Sequence, residues 1–190
     1  VLTPAVDGKV QVRHAIAGAA ARTGVDFGFL YSQAQLESAL DPEARAPTSS
    51  AAGLFQFTKQ TWLATLKRHG PAHGADWAAD AIRRNADGSH SVADPAMRDA
   101  VFNLRFDPAL SSAMAAEFAL DNKDFLEGAI GRAAEPVDLY HAHFLGAGGA
   151  ADFLKAHDAD PDAVAALAFP AAAAANRSVF YDASGRGRSF

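Results

Sequence analysis

The two stretches that decide the fold are Leu30-Tyr31-Ser32-Gln33-Ala34-Gln35-Leu36-Glu37-Ser38-Ala39-Leu40-Asp41-Pro42 and Gly53-Leu54-Phe55-Gln56-Phe57. The first predicts an apolar helix over 27–40 that Asp41-Pro42 ends, because a residue before proline avoids helical backbone. Glu37 lies near the end of this helix, nineteen residues before Gln56. A carboxylate at a helix end, with an amide on a nearby glycine-led turn, indicates an active site that uses one acid.

Helix signals recur along the rest of the chain, whereas strand signals are scarce. Apolar residues at helical spacing and capping residues predict further helices over 9–22, 58–69, 77–82, 94–104, 107–118, 124–130, 137–145, around 153–154 and from 161. Alanine is abundant and no long β-branched run occurs, which also favours helix. The 190 residues suffice for one well-buried domain and are few for two. We therefore predict a single all-α domain over 1–190, with short extended segments near 85–92.

Composition and charge exclude several classes of partner. The net charge of −5 argues against nucleic acid and anionic membranes, which both need a basic surface. With no cysteine, disulfides and thiolate metal sites are excluded. No uninterrupted apolar run reaches about 18 residues, so we expect no membrane-spanning helix.

Glu37-Ser38 and Gly53-Leu54-Phe55-Gln56, in this order and at this spacing, resemble the catalytic region of the soluble lytic transglycosylases. These are lysozyme-like enzymes of bacterial cell-wall turnover, whose second motif has Met where this chain has Phe55. A further family feature is an Asp-Pro pair that opens a long helix, and Asp107-Pro108 is similar to it. The resemblance covers roughly residues 10–155 and implies a C-terminal extension over 156–190.

A third family motif, Ala-Tyr-Asn-Ala-Gly-Pro-Gly, is matched loosely by Ala142–Gly148. His143 and Phe144 stand where the family has Tyr and Asn, and Tyr140 lies one helical turn earlier, where it could supply a hydroxyl. The family's loop carries Ser-Pro where this chain has Ala46-Pro47, so Thr48, Ser49 or Ser50 would have to substitute.

The resemblance implies a lysozyme-like fold with a saccharide-binding cleft and cleavage of the β-1,4 bond between N-acetylmuramic acid and N-acetylglucosamine. Glu37 would be the catalytic residue, and no cofactor or metal would be needed. The implied substrate-binding residues are Ser38, Ser49, Gly53, Phe55, Gln56, Tyr140, His143 and Phe144. The implied partners are peptidoglycan strands and, further, cell-envelope machinery. The protein would act as a monomer in the periplasm or outside the cell.

The chemistry explains why a single acid at position 37 can suffice. Protonating a glycosidic oxygen near neutral pH requires a carboxylic acid with a pKa well above the ordinary value of about 4.3. Apolar neighbours and the carbonyl end of the helix both favour the protonated form of Glu37. Hydrolytic glycosidases need a second carboxylate, and the nearby Asp41 and Glu43 lie in a polar loop. A transglycosylase needs none, because the sugar's own 6-hydroxyl attacks C1 and closes an anhydro ring.

Several alternatives remain open from the sequence. The same acid would serve a muramidase that admits water, and the altered third motif is compatible with a non-catalytic glycan-binding or scaffold module of a cell-envelope complex. Ser38 has a second interpretation as a structural hydroxyl, and Tyr140 as a core residue. His141 and His143, two residues apart on a helix, point to different sides and do not predict a metal site. Gly146–Gly149 is interpreted as a helix-breaking turn rather than a phosphate loop.

Overall fold

A computed structural model of the chain describes residues 4–175 and 177–190. Helices account for 66% of the structure, which confirms the all-α class, and the described residues contain one two-stranded sheet. The elements are α1 (Pro4–Thr23), α2 (Phe27–Ser38), α3 (Lys59–His69), α4 (Asp76–Ala81), β1 (Arg83–Arg84), β2 (His90–Ser91), α5 (Pro95–Asn103), α6 (Pro108–Ile130), α7 (Pro136–Ala159), α8 (Ala165–Ala168), α9 (Pro170–Ala175) and α10 (Arg177–Phe180). Short 3₁₀ helices at Gly70–His73 and Leu104–Phe106 follow α3 and α5.

The chain forms two compact units, one ending at Asp121 and the other running from Asn122 to Phe190. The boundary between them lies within α6, which continues through the positions where the sequence predicted two separate helices. It also lies well before residue 156, where the sequence analysis placed the start of an extension.

Side chains from helices α1 to α6 form most of the core of the first unit. Val12, Ile16 and Ala19, whose spacing in the sequence puts them on one helical face, are at most 1% exposed and form the inward face of α1. The indole Nε1 of Trp62 donates a 2.9 Å hydrogen bond to the carbonyl of Val101, so the polar edge of this buried ring is satisfied. The largest other side chains buried in this core are Leu30, Leu54, Leu66, Ile82, Val101 and Met114.

Short-range capping explains where these helices begin. Asp26, Thr58 and Asp94 each accept a hydrogen bond from a backbone N–H three residues later, at the starts of α2, α3 and α5. Gly24, at φ 78°, ends α1 in the left-handed conformation that glycine adopts without steric cost. The starts of the helices predicted over 27–40, 58–69 and 94–104 are confirmed to within one residue.

The hairpin of β1 and β2 is tied to α3 by one side chain. Arg83 pairs with Ser91 and Arg84 with His90 in antiparallel register. The amide of Gln60 donates to the His90 carbonyl at 3.0 Å and accepts from the His90 N–H at 2.9 Å. It therefore bonds to the hairpin edge as a neighbouring strand would.

In the second unit, α7 bends at Gly146, whose φ of 74° and ψ of 157° lie outside the helical region. The predicted break after Leu145 is therefore confirmed, but it occupies a single residue. The helix predicted to start at Pro161 is wrong: residues 161–163 form a turn, and Val164 bridges to Ser189 before α8 begins. The chain end also packs, with the Phe190 ring 5.0 Å from that of Phe153.

Candidate active site

Glu37 lies in the last turn of α2 and is half-buried. The two residues after α2, Ala39 and Leu40, both adopt left-handed backbone, with φ of 53° and 65°. Such a conformation is costly for a residue with a side chain and persists only where the surroundings enforce it. Leu40 is anchored by burial at 6% exposure, and the Ala39 N–H donates to the Gln35 carbonyl at 3.1 Å. This sharp turn ends the helix directly after Glu37-Ser38. It thereby sets the position of the Glu37 backbone, from which the carboxyl group extends.

The hydroxyl of Ser38 joins the helix end to the glycine-led turn. Its Oγ lies 2.8 Å from the carbonyl oxygen of Leu54 and 3.0 Å from that of Ala34. The single hydroxyl proton is therefore shared between a contact within α2 and one that reaches sixteen residues along the chain. The structure thus brings together the two motifs that the sequence singled out. It also supports the structural interpretation of Ser38, because its hydroxyl proton is already engaged.

No other residue fits at Gly53 without distorting the turn. Its φ is 81°, and a Cβ atom at this position would overlap the carbonyl oxygen of Arg105. Its N–H donates a 2.8 Å hydrogen bond to the Ala44 carbonyl. Both the backbone angle and the close approach of another chain segment therefore require glycine.

Gln56 uses the amide nitrogen of its side chain to hold the turn. Its Nε2 donates to the Gly53 carbonyl at 2.9 Å and to the Ala44 carbonyl at 3.3 Å. The residue is half-buried and has a φ of 47°, a further left-handed position without glycine. Its Oε1 accepts no hydrogen bond from the described part of the chain, so it can accept one from a ligand N–H.

Arg105 fixes this loop from within the unit, and sequence reasoning missed it. The side chain is only 5% exposed. Its Nη1 donates to the carbonyl of Ser50, in the loop before the turn, at 2.8 Å and to that of Phe57, at the end of the turn, at 3.2 Å. Burial, with a smaller effect of repulsion from Arg45, lowers the pKa of Arg105. The one available signal was an arginine between two aromatic residues, Phe102 and Phe106, just before Asp107-Pro108.

The loop between the two motifs is ordered by backbone pairing. Ala52 forms bridges to both Arg45 and Phe57, and the Ala46 N–H donates to the Ala51 carbonyl at 3.0 Å. Ser49 is exposed at the loop tip, where its Oγ accepts a 3.2 Å hydrogen bond from the Ala51 N–H. Ser49 is thus available to a ligand, although no contact with the motif residues is recorded among the described residues.

The two phenylalanines of the turn belong to the core rather than to the surface. Phe55 is 4% exposed and Phe57 is 6% exposed. The Phe57 ring lies 5.3 Å from Trp62 and 6.2 Å from Phe118, both in edge-to-face arrangements. The side chain of Phe55 therefore supports the turn from beneath, and only a small part of it can contact a ligand.

The residues of the third motif belong to the second unit. Tyr140 is 51% exposed on α7, so its side chain is a surface residue and not part of the core. The backbone at 143 and 144 is helical, but the side chains predicted to bind substrate there, those of His143 and Phe144, lie outside the described residues. The motif residues that the structure shows in contact with one another are therefore those of the first unit.

Charges in the second unit hold the start of α7. Burial acts to raise the pKa of Asp138, but hydrogen bonds from the Arg132 guanidinium and the Glu135 N–H outweigh it, and the net shift is downward. Burial lowers the pKa of His141, with a further contribution from His157, and the nearby Asp138 opposes this shift. Among the described residues, no group of three or more His, Asp or Glu side chains is placed to hold a metal ion.

A scan of the chain against models of protein families gives no match. Within the described residues, no helix combines the length and apolar character needed to cross a bilayer. The resemblance to the soluble lytic transglycosylases therefore rests on the sequence motifs, and it stays a prediction.

Proposed function

We propose that this protein is a peptidoglycan lytic transglycosylase with a lysozyme-like fold, in which Glu37 acts first as acid and then as base. The observation that carries the proposal is the 2.8 Å contact between Ser38 Oγ and the Leu54 carbonyl, which joins the Glu-Ser pair to the Gly-Leu-Phe-Gln turn. The motif residues were selected from sequence alone, and an accidental match would give no reason for them to meet.

The reaction follows from one carboxyl group changing its protonation state. Glu37 donates its proton to the glycosidic oxygen as the bond from this oxygen to C1 of the muramic acid breaks. The resulting carboxylate then takes the proton of the sugar's 6-hydroxyl, whose oxygen forms a new bond to C1. The N-acetyl group assists at C1, no water is consumed, and Glu37 ends protonated as it began.

The position of Glu37 suits this role. The residue is half-buried, and the left-handed turn directly after α2 sets the position of the backbone from which its side chain extends. The acids that follow in sequence, Asp41 and Glu43, are exposed, and Asp41 Oδ1 already accepts the Glu43 N–H at 2.9 Å. This arrangement favours a mechanism with one acid over one with a carboxylate pair.

Gln56 and the turn around it would hold the substrate. Oε1, which accepts no hydrogen bond within the described residues, can take the N–H of an acetamido group while Nε2 stays bonded to the carbonyls of Gly53 and Ala44. Because the Arg105 guanidinium bonds both the preceding loop at Ser50 and the end of the turn at Phe57, the acceptor is held in place before substrate arrives. The exposed Ser49 is a further candidate for contact with the glycan.

Product mass tests the proposal. Purified sacculi are incubated with the protein and the soluble products are analysed by mass spectrometry. Muropeptides ending in 1,6-anhydromuramic acid, lighter by one water than their hydrolysed counterparts, are the expected products. Hydrolysed products would indicate a muramidase with the same acid. Binding to sacculi without release would indicate the glycan-binding or scaffold module, and either result would overturn the transglycosylase assignment.

A further inference from the structure

Two adjoining cavities lie in the first unit, and Glu37 lines neither of them. Their volumes are about 480 and 370 Å³, and Arg22, Asp107 and Ala109 line both of them. Residues of α1, of the segment 72–77 and of the start of α6 form their walls, whereas none of the described residues of α2 does. Each volume lies in the range of small-molecule sites, roughly 300–1,000 Å³.

Trp77 gives the larger cavity an aromatic surface. It is 45% exposed and lines the cavity from α4, whose next two residues, Ala78 and Ala79, are buried and anchor the helix. The chain has two tryptophans, and the other, Trp62, is fully buried. A large apolar ring left half in solvent at the wall of a cavity is a common feature of ligand sites.

The charged and titratable side chains that line the cavities are those of Arg22, Asp107, His14 and His73, and the His73 ring is bonded to Glu117 at 2.7 Å. Arg22 makes no ion pair within the described part of the chain, so its guanidinium donors are available at the junction of the two cavities. Asp107 Oδ1 accepts the Leu110 N–H at 2.8 Å, which leaves Oδ2 as an acceptor. Arg22 and Asp107 line both cavities, and this pair of opposite charges favours a neutral ligand with both hydroxyl donors and acceptors over an anion or a cation.

We propose that the cavities beside Trp77 form a second saccharide-binding site for β-1,4-linked N-acetylhexosamine units. The C–H face of a pyranose ring stacks on the indole, while Arg22 and Asp107 bond its hydroxyl and acetamido groups. The identity of the sugar rests on the proposed function, because the same glycan strand would occupy this site and the catalytic one. The site would hold a strand on the enzyme between cleavage events.

Tryptophan emission tests this site directly, because Trp77 is the exposed fluorophore and Trp62 is shielded. The full-length Glu37→Gln protein, which cannot turn over the ligand, is titrated with chitotetraose. We expect a saturable change in emission that disappears in Trp77→Phe. Arg22→Gln and Asp107→Asn keep the reporter ring, and asparagine preserves the cap of α6. Each should weaken the affinity about tenfold, whereas Met97→Ala, which truncates an exposed apolar side chain elsewhere, should leave it unchanged.

Three results would overturn the inference. The first is an emission that stays unchanged up to the highest chitotetraose concentration. The second is an affinity of the Arg22→Gln and Asp107→Asn variants equal to that of the protein without these substitutions. The third is a response to an isolated stem peptide but not to chitotetraose. Product release from sacculi by the protein with Glu37 intact is measured separately. Loss of the Trp77 response with normal anhydro products would refute this site alone, and normal chitotetraose binding without anhydro products would refute the proposed function alone.

Discussion

Ser38 and Leu54 are joined by a 2.8 Å hydrogen bond from the Ser38 hydroxyl to the Leu54 carbonyl. This hydrogen bond connects the helix end that carries Glu37 to the turn that carries Gln56. The Leu54 side chain is fully buried, so the carbonyl that Ser38 reaches is held by the core of the first unit. The Ser38 hydroxyl is thus a direct bond between the helix end and the turn, in addition to the burial of Leu40.

Replacing Ser38 by alanine should therefore impair turnover more than folding. The lost hydrogen bond should cost about 1 kcal/mol of stability, and the loosened helix end should lower kcat about tenfold, because misplacing a catalytic group raises the barrier. Ser32→Ala, an exposed serine on the same helix, is the matched control and should leave kcat unchanged. Steady-state release from sacculi and thermal melting measure the two quantities. Full activity of Ser38→Ala would contradict the importance of the contact.

Two glycines with nearly the same φ separate backbone strain from steric overlap. Gly24→Ala, at φ 78° in open space, should cost about 1–2 kcal/mol from the left-handed conformation alone. Gly53→Ala, at φ 81°, should cost about 2–3 kcal/mol more, because its Cβ meets the Arg105 backbone and cannot be accommodated by a rotamer change. Denaturant unfolding of both variants gives the comparison. Equal losses would show that the approach of Arg105 to Gly53 is looser than described here.

His141 should make the second unit less stable in mild acid. Burial lowers its pKa, with a contribution from His157, so the folded state prefers the neutral ring. The resulting stability is complete above the unfolded pKa of about 6.5 and is lost as pH falls through the lower folded value. The pKa of Asp138 is lowered despite the opposing effect of its burial, so protonation of Asp138 changes the stability only below about pH 4.

His141→Phe should remove this dependence, since the ring already packs against Phe153 at 5.0 Å. Melting temperatures of both proteins between pH 5 and 8 provide the test. The wild type should lose stability relative to the variant as pH falls below about 6.5. A constant difference across that range would contradict the assignment.

Local signals made much of the first unit predictable. The caps at Asp26, Thr58 and Asp94 depend on residues within one helical turn, and the inward face of α1 depends on periodic spacing. Both kinds of information are contiguous in the sequence. The same is true of Glu37, whose place at a helix end follows from Asp41-Pro42 a few residues later.

Contacts between distant segments could not be predicted from the sequence. Arg105 bonds the carbonyl of Ser50 across 55 residues, and no local pattern distinguishes it from a surface arginine. Phe55 was expected to bind substrate, but an apolar residue on a turn serves a core equally well. At Pro161, the signal for a helix start was overridden by pairing of Val164 with Ser189, near the end of the chain.

The central claim is that one carboxyl group, that of Glu37, performs the cleavage. Glu37→Gln removes its proton transfer while keeping the size of the side chain, and Glu43→Gln makes the same change at an exposed position of the neighbouring loop. We expect release of anhydro-muropeptides from sacculi to fall at least about a hundredfold in Glu37→Gln and to be unchanged in Glu43→Gln. If Glu37→Gln released these products at the wild-type rate, the account would be wrong.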